Sequence, residues 1–310
     1  MNAVSTPTAA SGRPLAISLL LGISGWFAGI FMLFFVALLI HPDSAASAAV
    51  TGTVLLAAAW GLFMVAHDGT QVFVAQLALA LSIAGQCLVV YAMSNHAGNI
   101  GPIAASALVL QVVLSLVMPN RLHRTLSTLF ATIAWALTVR FVLFDAQADW
   151  HDDRAQRATP LPAALGGWLL TWGPVAAALW WAIRNEPAWV ARGWTALVQP
   201  LVTGLLAGLA FATLASQPFE IMRWFGAGAD AGSLALWPLL SALAALGALA
   251  AAFAQGRRAL MALCATATLL HVGCFYYALG TSLLVKSLLM LAMGTACIVA
   301  ARVLRSKEAA

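Results

Sequence analysis

Two long apolar segments near the C-terminus are joined by a short stretch that carries ionisable side chains. His271, Tyr276, Tyr277 and Lys286 lie around a predicted turn at Ala278–Ser282. An unperturbed imidazole titrates near neutral pH, and a lysine ammonium carries a fixed positive charge. His271 and Lys286 are almost equidistant from the turn, so two antiparallel helices would hold them at the same depth. This spacing predicts a polar site between two helices.

Further polar side chains fall in the same outer half of the predicted membrane, whereas Gln111 lies deeper. Ionisable residues within membrane spans are rare and are functional candidates. We therefore predict a polar cavity that opens to the outside. Its predicted lining residues are Gln86, Tyr91, Arg140, His271, Tyr276, Tyr277 and Lys286. The fixed charge of this cavity would be positive, which favours a small anionic ligand such as a carboxylate, a phosphate or a lipid head group.

A simpler interpretation of the same residues stays open. Arg and Lys side chains near helix ends extend to the membrane surface, and Tyr and Trp collect at both interfaces. On this interpretation Arg140 and Lys286 anchor helices, Tyr276 and Tyr277 mark the membrane surface, and His271 is a packing residue.

The composition requires a lipid environment for these residues. The chain has 310 residues, of which 63% are hydrophobic and 8% are charged, whereas soluble proteins carry about 25% charged residues. The net charge is +5, but the sequence has no clustered basic run, and we expect no nucleic-acid partner. The composition predicts a multi-pass protein of the lipid bilayer.

The apolar runs are continuous and long enough to be helical spans, which need about 20 residues each. We predict an all-α transmembrane bundle of about ten spans over residues 15–303, with a cytoplasmic leader (1–14) and a cytoplasmic tail (304–310). The first run is too long for a signal peptide. The predicted spans are Leu15–Ile40, Ala46–Ala66, Gln71–Met93, Ile100–Met118, Thr125–Phe144, Leu161–Ile183, Thr195–Ala215, Ser233–Ala254, Ala259–Tyr276 and Ser282–Val303.

The distribution of basic residues predicts the orientation of the bundle. Cytoplasmic loops carry the excess of Lys and Arg. With both termini inside, most basic loop residues are cytoplasmic, and the acidic stretch Asp145–Pro160 is external. Arg154, Arg157 and Arg223 are then the external basic loop residues. The pattern predicts a topology with both termini in the cytoplasm.

Neither a metal site nor an enzyme is indicated by sequence motifs. The cysteines are Cys87, Cys264, Cys274 and Cys297; they lie in apolar runs without CxxC spacing, so we expect reduced, structural thiols. A weaker alternative is copper binding by soft ligands, namely Cys264, His271, Cys274, Met290 and Met293. Their spacing matches no known motif. We expect no metal, no cofactor and no catalytic residues.

Two segments resemble an uncharacterised bacterial membrane family, domain of unknown function 4401. They are Phe275-Tyr276-Tyr277 followed by Leu283-Leu284-Val285-Lys286-Ser287, and the mid-chain segment Arg184-Asn185-Glu186-Pro187-Ala188-Trp189. The resemblance implies a multi-pass inner-membrane protein and extends over nearly the whole chain. It implies no activity and no substrate.

Three functional hypotheses remain at this point. The first is a transporter-like or ligand-binding membrane protein that uses the outward-facing cavity. The alternative is a non-catalytic structural or assembly component of a membrane complex. A membrane enzyme that acts on a lipid-linked substrate comes third. The oligomeric state is not indicated by the sequence.

Overall fold

The computed structural model describes residues 15–40, 44–66, 72–97, 100–143, 161–216 and 236–278, and most of 282–298. Most of the described residues are helical and none of them lies in a strand, which confirms the predicted all-α class. The helices are α1 Leu15–Ile40, α2 Ala45–Val65, α3 Val72–Ala97, α4 Ile100–Val117, α5 Arg121–Thr138, α6 Leu161–Ala191, α7 Thr195–Ser216, α8 Leu236–Ala254 and α9 Arg258–Ala278. A π-helical turn, Val139–Leu143, continues α5, and residues 283–288 are again helical.

Most predicted spans coincide with these helices to within a few residues, but α5 begins earlier than predicted. Asn120 precedes the helix, and its Oδ1 accepts a hydrogen bond from the backbone N–H of His123 at 3.0 Å. An Asn at this position satisfies one of the unpaired donors of the first turn. The cap therefore places Arg121, His123 and Arg124 in the helix, where the sequence pattern indicated a loop.

The sixth helix continues beyond the predicted end at Ile183 and runs to Ala191. Two polar residues just beyond the predicted end are hydrogen-bonded within the structure. Asn185 Nδ2 donates to the carbonyl of Trp181 at 2.8 Å, and Glu186 is paired with Arg257 at 3.0 Å. Because these polar groups have partners, the helix can continue through Asn185 and Glu186.

The chain forms two compact units, residues 1–127 and 128–310. In the first unit, α3 packs against α1, α2 and α4. Its apolar core includes Leu55, Ala59, Phe63, Leu79 and Leu114. Helices α2 and α3 approach closely at a pair of glycines: a Cβ added to Gly52 would lie 2.7 Å from the carbonyl oxygen of Gly85. Small residues permit this separation.

The second unit contains α6 to α9 and a continuous apolar core. Helix α7 contacts α6, α8 and α9, and α8 packs along α9. Leu206, Val202, Ala245 and Cys264 are fully or almost fully buried in this core. The sequence-based prediction of one bundle over residues 15–303 stays a prediction, and its leader and tail lie outside the described residues.

Two glycines with left-handed backbone conformation end helices in the second unit. Gly193 (φ 84°) follows α6, and Gly256 (φ 65°) follows α8. After α6, the N–H of Trp194 bonds to the carbonyl of Trp189 at 3.0 Å. Glycine adopts this conformation without the steric cost that a Cβ introduces. These turns fix the connections α6–α7 and α8–α9.

Within the part of the chain that the structure describes, three helices are long and apolar enough to cross a membrane, and all three lie in the first unit. They contain the candidate spans Ala45–Val65, Val72–Asn95 and Ile100–Val117. A number of about ten spans, and the orientation of both termini, stay predictions.

Candidate functional site

A cluster of uncharged polar side chains is buried between α3, α4 and α5 in the first unit. We call it the polar network, and its members are Ser82, Gln86, Gln111, His123 and Ser127. Each is at most 7% exposed. Burying a polar group in an apolar medium is costly unless the group is hydrogen-bonded. Their hydrogen bonds therefore decide whether this cluster is stable.

The two glutamines form one end of the polar network. Gln111 Nε2 of α4 donates to Gln86 Oε1 of α3 at 2.7 Å. Gln86 Nε2 in turn donates to Ser82 Oγ, one helical turn earlier, at 3.1 Å. Gln86 thus joins α4 to α3 and uses both ends of its amide.

His123 continues the polar network into α5. Ser82 Oγ lies 2.6 Å from His123 Nε2, and Gln86 Nε2 makes a longer contact of 3.4 Å with the same nitrogen. An amide nitrogen is a donor, so an unprotonated Nε2 satisfies both contacts. The proton then resides on Nδ1, which lies 3.2 Å from Ser127 Oγ. We infer a single direction of donation, from Gln111 to Ser127.

An aromatic contact closes the polar network on the side of α2. Phe63 packs against His123 with ring centroids 5.6 Å apart and planes at 74°. Phe63 is 4% exposed and His123 is 1% exposed. The imidazole is therefore held by contacts with α2, α3 and its own helix.

One atom of the polar network is left unsatisfied. Gln111 Oε1 is buried and has no hydrogen-bond partner in the part of the chain that the structure describes. A buried acceptor without a partner costs about 1–3 kcal/mol. The amide nitrogen of Gln111 donates to Gln86, so the unpaired atom at this end of the network is the carbonyl oxygen of Gln111. A hydrogen-bond donor that reached this atom would satisfy it.

Two of the predicted site residues in the second unit, His271 and Lys286, contact other residues of that unit. His271 is 1% exposed, and its Nε2 donates to the carbonyl of Ala210 at 3.1 Å. Lys286 Nζ lies 5.1 Å from the ring centroid of Tyr276. The structure brings Tyr276 and Lys286 together across the predicted turn. Both contacts are consistent with packing and anchoring, and a shared ligand site stays a prediction.

The remaining predicted site residues are divided between the two units. Gln86 is buried in the polar network, and Tyr91, on the same helix, is 50% exposed. Arg140 lies in the π-helical turn and Tyr277 in α9, but their side chains lie outside the described residues. The outward-facing cavity and its anionic ligand stay predictions.

The described cysteines behave as thiols. Cys87 is exposed and Cys264 is buried, and both are free. The side chains of Cys274 and Cys297 lie outside the described residues. Among the described residues, no group of three or more His, Cys, Asp and Glu side chains could hold a metal ion.

Sequence reasoning missed Ser82, His123 and Ser127 as members of a site. His123 fell between the predicted spans Ile100–Met118 and Thr125–Phe144, so it was not considered as a buried residue. A usable signal is the spacing of four residues from Ser82 to Gln86 and from His123 to Ser127, which places each pair on one helix face. The sequence pattern does not show that the two faces meet.

These features define a helical protein with apolar helices of membrane-spanning length and a buried, uncharged polar network. The chain belongs to the family described as Domain of unknown function (DUF4401), whose family model matches residues 14–227. The match includes the segment Arg184–Trp189 and ends before the C-terminal segment that also suggested this family. No curated protein and no solved structure matches the chain.

Proposed function

We propose that this protein is a multi-pass protein of the bacterial inner membrane and that its polar network binds a small solute that donates hydrogen bonds. The observation that carries the proposal is the buried, unpaired Gln111 Oε1. Gln86 and Gln111 lie within two of the three candidate spans. Polar residues inside a membrane are expensive and commonly line solute pathways.

The chemistry of the polar network limits the class of solute. Its members carry no formal charge, and its unpaired atom is the acceptor Gln111 Oε1, whose partial negative charge would repel an anion. A hydroxyl, amide or amine group would donate to Gln111 Oε1 and offset its desolvation cost. Binding or passage of such a solute is the function that this arrangement supports best.

Thermal unfolding of the detergent-purified protein tests this proposal. Glycerol, acetamide and methylammonium serve as probes, because each donates hydrogen bonds and is small enough to approach an amide. A bound solute stabilises the folded state in proportion to its concentration over Kd. We expect at least one probe to raise the unfolding temperature of the wild type and to have a smaller effect on Gln111→Met. Equal effects on both proteins, or none on either, would contradict the proposal.

The second candidate is a structural or assembly component of a membrane complex. The observation that favours it is the local pairing of His271 with Ala210 and of Lys286 with Tyr276. Interhelical hydrogen bonds also hold membrane helices together, so the polar network would serve to hold α3, α4 and α5 together. On this hypothesis Gln111→Met does not alter the effect of solutes on the unfolding temperature. It also does not reproduce the phenotype of the gene deletion.

A further inference from the structure

The C-terminal part of α6 and the turn after it expose both tryptophan and arginine. Trp180 is 62% exposed, Trp181 58% and Trp194 52%, and Arg184 and Arg192 are also exposed. We call these five residues the tryptophan–arginine stripe. Exposed indole rings are typical of the membrane–water interface, where one end of the ring is apolar and the other is hydrated.

The members of the stripe within α6 are Trp180, Trp181 and Arg184, and they lie on the face opposite the core. Trp180 and Arg184 are four residues apart and therefore lie on one helix face. Leu179 and Ala182 are buried in the core of the second unit. The core face and the stripe thus occupy different sides of the same helix, and the stripe is accessible.

The geometry of Arg184 suits recognition of a phosphate. Its guanidinium carbon lies 5.2 Å from the ring centroid of Trp180. The guanidinium carries its donors in a planar fork that matches phosphate oxygens, and a cation–π contact does not occupy these donors. Trp180 therefore contacts Arg184 without accepting a hydrogen bond from its donors.

The charge of the stripe is not cancelled by its own segment. Between Trp180 and Trp194 the sequence has one acidic residue, Glu186. Its carboxylate is paired with Arg257 of the α8–α9 turn, at 3.0 Å. Because Glu186 is engaged there, Arg184 and Arg192 keep their positive charge for an external partner.

As a predicted membrane span, α6 is long enough to carry the stripe to head-group level. Its 31 residues extend about 46 Å at 1.5 Å per residue, whereas the apolar core of a bilayer is about 30 Å thick. A helix that starts at one membrane surface therefore reaches the opposite head groups with its last turns. Those turns carry the stripe.

We propose that the tryptophan–arginine stripe is a binding site for the phosphate head group of anionic phospholipids. This inference rests on the proposed membrane location. The tryptophans lie at the boundary between acyl chains and head groups, and the arginines bind the phosphate. Anionic lipids attract basic residues close to a membrane surface, so the stripe selects these lipids over zwitterionic ones.

Native mass spectrometry with phosphatidylglycerol and phosphatidylcholine tests this inference on the full-length protein in detergent. We expect the wild type to bind phosphatidylglycerol about tenfold more tightly than phosphatidylcholine. The double variant Arg184→Gln/Arg192→Gln loses most of this preference. Trp180→Leu, which removes the ring beneath Arg184 and keeps an apolar side chain, loses part of it. Both sites are exposed, so folding should persist, and the thermal unfolding temperature checks it.

The matched control is Arg121→Gln/Arg258→Gln, which removes two exposed positive charges outside the stripe. Equal loss of preference in both double variants would show attraction to overall charge and would overturn the proposal. Displacement of the lipid by millimolar inorganic phosphate would overturn the assignment to a lipid. Gln111→Met should retain the lipid preference, so failure of the solute site and failure of the lipid site are distinguishable.

Discussion

Ser82 Oγ and His123 Nε2 lie 2.6 Å apart although 41 positions separate these residues in the sequence. This contact joins α3 to α5, and both side chains are almost completely buried inside the protein. It also links the amides of Gln86 and Gln111 to Ser127, so that five polar groups of three helices form one hydrogen-bonded network.

Replacement of His123 tests how far the polar network depends on its central ring. His123→Ala removes the acceptor of the Ser82 hydroxyl and the donor to Ser127 Oγ, and it creates a cavity beside Phe63. We expect the free energy of unfolding to fall by about 2–4 kcal/mol, measured by chemical unfolding in mixed micelles. Leu122→Ala is the control, since Leu122 is 48% exposed. Equal losses in the two variants would contradict a structural role for the network.

The two glutamines should differ in their effects on stability. Gln86→Met breaks hydrogen bonds to Ser82 and Gln111, and we expect a loss of about 1–3 kcal/mol. Gln111→Met breaks one hydrogen bond and removes the unsatisfied Oε1, so we expect a change within about 1 kcal/mol. Unfolding of both variants in the same detergent provides the measurement. A larger loss of stability for Gln111→Met than for Gln86→Met would mean that the side-chain carbonyl of Gln111 has a partner in the wild type.

Two glycines of α2 offer a matched pair for helix packing. Gly52→Ala would place a methyl group 2.7 Å from the carbonyl oxygen of Gly85, and overpacking of this kind costs about 1–3 kcal/mol. Gly61 has no atom within 4 Å of an added Cβ. Gly61→Ala should therefore be neutral or stabilise by up to about 1 kcal/mol, because Ala is the better helix former. Thermal unfolding should separate the two variants, and similar unfolding temperatures would refute the close approach.

Lys286 distinguishes an anchor from a ligand-binding side chain. Its contact with Tyr276 is worth about 0.5–1 kcal/mol at an exposed site. We expect Lys286→Arg to retain this stability and Lys286→Met to lose it, as measured by thermal unfolding. If Lys286 only anchors, both variants keep the function lost on gene deletion. Loss of that function in both, at normal stability, would instead support the predicted anionic site, since Arg and Lys are not equivalent in a shaped pocket.

Reporter fusions test the predicted orientation. A fusion after Gly256 should give a cytoplasmic signal and one after Gln156 an external signal, because basic loops remain in the cytoplasm. Alkaline phosphatase and fluorescent protein reporters provide complementary readouts. Opposite signals would reverse the topology and would place the tryptophan–arginine stripe on the outer surface.

The sequence by itself determined the helical class and most helix positions. Long apolar runs can be stable in lipid only when each backbone group is hydrogen-bonded within its own segment. For this reason Leu15–Ile40 was predicted with the bounds that the structure shows. The ends of α5 and α6 were less predictable, because a cap at Asn120 and a distant partner for Glu186 decide them.

Only the tertiary structure decided which polar residues form a site. Gln86 was a candidate from its position in an apolar run, but its partners lie on α4 and α5. His271 and Lys286 were candidates for the same reason. In the structure His271 bonds to the carbonyl of Ala210, and Lys286 contacts Tyr276. A buried polar side chain is stable only with hydrogen-bond partners. Those partners are set by how the helices pack, and one apolar helix face resembles another in the sequence.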